Sequence, residues 1–130
     1  MARDITVIME DRPGSVAKMG EAIAKAGISI EGWCGTTCDG KGVIHVLVDD
    51  AKAARKAIEG AGLKVSAERD VLVLEVEDKP GVLAKFATKI AKAGVNVDFG
   101  YLATHTRLVI GAADIKKARE AVPEAVLATK

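Results

Sequence analysis

"MEDRPGSVAKMGEAIAKAGISIEG" (Met9–Gly32) and "VEDKPGVLAKFATKIAKAGVNVDFG" (Val76–Gly100) are two versions of one segment, 67 positions apart in a chain of 130 residues. Asp11, Pro13, Gly14, Ala17, Lys18, Ile23, Ala24, Lys25, Ala26 and Gly27 recur as Asp78, Pro80, Gly81, Ala84, Lys85, Ile90, Ala91, Lys92, Ala93 and Gly94. Similar residues fill the gaps: Val16 becomes Leu83, Ile28 becomes Val95, and Glu31 becomes Asp98. Agreement of this extent marks an internal duplication. The expected units are 1–69 and 70–130. Each has about 65 residues, close to the lower limit for a self-sufficient core, so each is expected to bury more surface against the other or against a second chain.

Within a unit the hydrophobic period changes twice. Ile5, Val7 and Met9, and in the second copy Leu72, Leu74 and Val76, alternate with outward residues as in a strand with one buried face. The D-x-P-G sequence follows as a strand-to-helix corner, since proline sets its own φ and keeps the preceding residue extended. Val16, Met19, Ile23 and Ala26 then recur at helical spacing, as do Leu83, Phe86, Ile90 and Ala93. Gly27 and Gly94 stand where a left-handed C-terminal cap is expected. "ISI" and "VNV" begin a second strand, "VIHVLV" and "RLVI" form a third, and a second helix and a short last strand complete the unit.

The order strand–helix–strand–strand–helix–strand, occurring twice, predicts an α+β fold. Two tandem ferredoxin-like βαββαβ units are expected, each a four-stranded antiparallel sheet with two helices on one face. Val71 and Val73 make the opposite face of the second sheet apolar too, so it should also be covered. "KVSAERDVLVLEV" joins the units without a Pro-, Gly- or Ser-rich linker. Exchange of edge strands between the units is left open.

Composition narrows the function. A net charge of +1 gives no electrostatic field for a polyanion. Aromatics at 3% supply no base-stacking surface, and the third strands, "VIHVLV" and "RLVI", carry none. Neither nucleic acid nor membrane is an expected partner. The N-terminus has no signal-peptide pattern, and no run approaches the roughly 20 apolar residues of a spanning helix. Two cysteines do not make a disulfide framework, and the cytoplasm is the expected location. No nucleophile–base pair or carboxylate dyad stands out, so the chain is expected not to be an enzyme and to need no cofactor.

The two corners are the candidate site: Asp11, Arg12, Pro13, Gly14, Ser15 and Val16, and their counterparts Asp78, Lys79, Pro80, Gly81, Val82 and Leu83. A glycine at a helix start leaves backbone N–H groups uncovered, and the helix dipole favours an anion there. Asp11 and Asp78 could meet an ammonium group. An amino acid, being a zwitterion, needs both. The plainer alternative is that Asp, Pro and Gly make a tight turn and cap the helix.

At these residues the chain resembles a known family. The D-x-P-G-x-[VL] corner, the helix ending in AKAG and the [IV]-[SN]-[IV] strand, in that order and twice, look like the ACT domain, the ferredoxin-like regulatory module of many amino-acid-metabolising enzymes. The resemblance implies an amino acid bound between two modules and a response read by a partner metabolic enzyme or regulator. A homodimer is the expected assembly. In serine-binding relatives, contacts come from the corner's Asp position and from an Asn early in the second strand of the neighbouring module. Asn96, followed by Val97, matches that Asn; the first repeat has Ser29, followed by Ile30. The implied pairing is a richer site (Asp11 corner with Asn96) and a poorer one (Asp78 corner with Ser29). The corner residue is Asp here and Asn in those enzymes, so serine is not implied as the ligand. The competing function is a ligand-free assembly module, an oligomerising regulatory subunit of a metabolic enzyme.

"WCGTTCDGKGVIH" raises a metal reading. Cys34 and Cys38 on one strand would be about 13 Å apart, too far for a disulfide. A two-residue turn at Asp39-Gly40 would place Cys34 opposite His45. Two ligands do not make a zinc site, so reduced thiols and no metal are expected. Trp33 is expected at a contact with the other repeat or another subunit.

Overall fold

The computed structural model describes residues 3–123 and the backbone of 126 and 127. The chain divides into two units, Arg3–Arg69 and a second beginning at Asp70. The first comprises β1 (Arg3–Glu10), α1 (Ser15–Lys25), β2 (Gly32–Cys38), β3 (Lys41–Val48), α2 (Ala51–Gly60) and β4 (Lys64–Asp70). The second repeats the order with β5 (Leu72–Glu75), α3 (Val82–Lys92), β6 (Val97–Ala103), β7 (Arg107–Ala112), α4 (Ile115–Ala121) and β8 (Val126–Leu127). Only Val71 separates β4 from β5. This is the α+β, tandem ferredoxin-like arrangement that the hydrophobic periods predict.

In the first unit the strands lie in the order β4-β1-β3-β2, and in the second β6-β7-β5-β8. Each terminal strand therefore stays beside the first strand of its own unit; β8 pairs with β5 through Leu74 and Leu127. The central pairs are antiparallel, with Val7 opposite Ile44 and Leu74 opposite Leu108. Ile5, Val7 and Met9 pack with Met19, Ile23 and Ile58 in one core, and Leu72 and Leu74 pack with Phe86, Ile90 and Ala118 in the other. Both first helices end in the same way: the Ile28 N–H donates to the Ile23 carbonyl and the Val95 N–H to the Ile90 carbonyl, behind Gly27 and Gly94 at φ 74° and 76°.

Three sequence expectations change. Val16 and Leu83 do not join the buried helical stripe; they are 43% and 61% exposed. Each is the second residue of its helix; the first residue, Ser15 or Val82, is the half-buried one in that turn, and Val82 packs on the core. The second strands start later than "ISI" and "VNV" suggest, at Gly32 and Val97. Ile28 and Ile30 still pack on the core, so burial gave them a strand-like pattern without ladder pairing. Asn96 precedes β6 and sits beside a bulge between Val97 and Phe99.

The turn at Asp39-Gly40 has φ 51° and 77°, the double left-handed geometry of a two-residue hairpin. It sets Cys34 opposite His45, on the face away from the helices. There His45 Nδ1 donates to Asp4 Oδ2 over 2.9 Å, and the Thr6 hydroxyl lies 3.3 Å from the same ring nitrogen. Asp4 is fully buried, so its carboxylate is matched by polar neighbours within the sheet face. The Cys34 and Cys38 thiols are free. Among the described residues no three His, Cys, Asp or Glu side chains are grouped to hold a metal ion. In the second unit Val71, Val73, Tyr101 and Val109 are buried on the face opposite the helices, and Phe99 stacks on Tyr101 at 6.3 Å. No helix among the described residues is long and apolar enough to cross a membrane.

Candidate functional site

The two corners share the backbone conformation of their glycine. Gly14 and Gly81 are the N-caps of α1 and α3, both at φ 90°, and neither helix start has a side-chain cap or an acidic residue in its first turn. The other two helices differ. Asp50 accepts from the Ala53 N–H and Asp114 from the Lys117 N–H, each at 3.0 Å. Each unit thus has one helix closed by an aspartate and one left open behind D-x-P-G. The capping role that sequence alone allowed for Asp11 and Asp78 is not the one they fill: among the described residues neither side chain has a hydrogen-bond or ion-pair partner. At α1 the Ser15 N–H donates to the Arg12 carbonyl over 3.3 Å; the other N–H groups of the first turns and the positive end of each helix dipole have no side-chain cap.

This contrast predicts a difference in stability. Asp50→Ala or Asp114→Ala should cost about 1 kcal/mol through the lost cap. Asp11→Ala or Asp78→Ala should leave stability within about 0.5 kcal/mol, as for a surface change away from any such feature. Urea denaturation of the four variants checks this; a loss at Asp78 equal to that at Asp50 would show that the corner aspartate is a cap after all.

Electrostatics separate the corners. At the first, Lys41 Nζ donates to Glu10 Oε1 over 2.6 Å. That hydrogen bond, then the charge of Lys41, holds the Glu10 carboxyl below the usual carboxylate range. At the second, the equivalent Glu77 pairs with Lys79 at 3.2 Å, inside the corner itself. Arg12, Pro13, Asp78, Lys79 and Pro80 are exposed, and Ser15 and Val82 are half-buried.

The early-strand residues are placed far from their own corners. The Asp11 N–H donates to the Gly40 carbonyl at one end of β3, whereas the Glu31 N–H donates to the Leu47 carbonyl at the other. In the second unit the Val76 N–H bonds Thr106 and the Ala113 N–H bonds Asn96. Seven residues of strand lie between, roughly 20 Å. Ser29 and Ile30, or Asn96 and Val97, therefore cannot complete the corner of their own unit. Asn96 is exposed and its amide donates to Asp98 over 3.4 Å.

What the structure does bring to a corner is the neighbouring hairpin. The second corner opens on a cavity of about 340 Å³ lined by Val76, Glu77, Asp78, Lys79, Val82 and Leu83, and, across from them, Leu102, Ala103, Thr106, Arg107 and Leu108. The Arg107 guanidinium, 6% exposed, donates to the Thr104 carbonyl over 2.7 Å and to its hydroxyl over 3.0 Å, fixing the hairpin end. Sequence reading missed this wall. A signal was present: at the offset of the repeat, Leu102 stands where the first copy has Gly35.

Residues 71–124 match the family model of the ACT domain. A protein from Bacteroides thetaiotaomicron has the same fold with a TM-score of 0.86 at 24% identity, over 98% of this chain and 91% of that one. The ligand-free regulatory subunit of aspartate kinase from Thermus thermophilus gives 0.68 at 24% identity, over 95% and 91% of the two chains. Its counterpart from Thermus flavus gives 0.65 at 22%, again over 95% and 91%. No curated protein sequence matches this chain significantly.

Proposed function

This chain carries an ACT domain in its second unit and repeats that unit's fold and corner in its first, and we infer from this tandem arrangement a regulatory, non-catalytic protein that binds an amino acid at its open corners. The observation that carries the reading is the contrast between helix starts: aspartates close α2 and α4, while α1 and α3 keep their donors behind an unpartnered Asp11 or Asp78. An α-carboxylate suits the N–H groups and an α-ammonium suits the aspartate. The regulatory subunits of aspartate kinase that share the fold support a role read out by a separate enzyme. Completion of a site by Asn96 or Ser29 requires a second module, because each stands at the far end of its own unit.

A thermal-shift series over the twenty amino acids tests the reading. A ligand present at 100 times its dissociation constant should stabilise the protein by about 2.7 kcal/mol, several degrees in the midpoint. If none of the twenty moves the midpoint, the assembly-module reading takes its place.

A further inference from the structure

We propose that the cavity at the second corner is a pocket for the side chain of an aliphatic amino acid, so that this corner, not the first, selects the ligand. The proposal rests on the amino-acid reading above and narrows it to a chemical class. Its basis is two large apolar side chains, Leu83 and Leu102, that the unit's own core leaves exposed. Leu102 is 73% exposed and Leu83 61%, and both line the cavity with Val76 and Val82. Two exposed leucines facing one concavity differ from scattered surface hydrophobes, which need no explanation. The volume of about 340 Å³ is at the small end of ligand sites.

The rim supplies what the backbone of such a ligand needs. The N–H groups of the first turn of α3 belong to Val82 and Leu83, the residues whose side chains form one wall. Asp78 stands at the edge without a partner among the described residues. A ligand seated with its carboxylate at the helix start and its ammonium toward Asp78 would direct its side chain between Leu83 and Leu102.

The first corner lacks this wall. Ser15 replaces Val82, and Gly35 replaces Leu102. The space over Gly35 is already taken: a Cβ there would meet Ile44 Cδ1 at 2.7 Å and Trp33 Cζ3 at 3.4 Å. The asymmetry therefore runs opposite to the one implied by Asn96 and Ser29.

The test is calorimetric titration of the full chain with L-leucine, L-isoleucine and L-valine against L-serine, L-lysine and L-aspartate, repeated on Leu102→Ser and Leu83→Ser. Both positions are exposed, so unchanged circular dichroism and melting midpoint are expected of the variants. Aliphatic ligands should bind about tenfold or more tightly than polar ones, and each variant should weaken leucine by about tenfold, the usual discrimination of a hydrophobic pocket. A polar amino acid bound as tightly as leucine, with both variants indifferent, would overturn the pocket while leaving the amino-acid function standing. Binding of none of the six overturns the pocket; whether it also overturns the broader function is decided by the twenty-member thermal series.

Discussion

Ile23→Ala and Ile90→Ala are each expected to cost about 2–5 kcal/mol, the largest single-residue effects in this protein. Both side chains are fully buried on the sheet-facing side of the first helix of their unit, among residues that cannot close the resulting cavity without moving a strand. Each unit has about 65 residues and its own core, so such a loss is a large part of its stability. Urea denaturation followed by circular dichroism measures both variants; Trp33, the only tryptophan, reports the first unit by fluorescence. A loss below about 1 kcal/mol at either position would mean that the core is looser than its burial indicates.

Gly14→Val and Gly81→Val should each destabilise by about 1–2 kcal/mol or more, and for a reason unconnected with crowding. Nothing lies within 4 Å of a Cβ built at either position, yet φ is 90° at both. The cost is that of the left-handed backbone, steepest for a β-branched residue. Asparagine visits this region more readily, so Gly81→Asn should cost clearly less than Gly81→Val. Thermal melts of the paired variants decide it; equal losses would point to a steric role for the glycine. Valine therefore serves poorly as a blocker of the corner. Lost binding in Gly14→Val carries meaning only beside an asparagine variant that folds and still covers the same N–H groups.

The duplication, the order of elements, the left-handed helix ends and the Asp39-Gly40 hairpin were legible because each is written in a contiguous window. A period of two or 3.6, a Pro-Gly corner and an Asp-Gly turn act through the backbone of neighbouring residues. The glycine helix starts were legible for the same reason, since the helix donors and the aspartate lie within six positions of each other. The exposure of Val16 and Leu83 was not. Helical spacing assigns a face to a residue but not the point along the helix where that face meets the sheet.

The pocket wall was decided only by tertiary structure. Leu102 and Leu108 reach the second corner because antiparallel pairing folds β6 and β7 back along β5, about twenty to thirty residues after Asp78 in sequence. The separation of Asn96 from Asp78 depends on the same topology: α3 carries the chain from one end of the sheet to the other, so residues close in sequence finish at opposite ends. Local chemistry determined that this protein has two open helix starts. Strand pairing decided which hairpin position stands across from each corner: the same position is Leu102, opposite Leu108, in the second unit and Gly35, opposite Ile44, in the first, and only the register identifies that position as the wall.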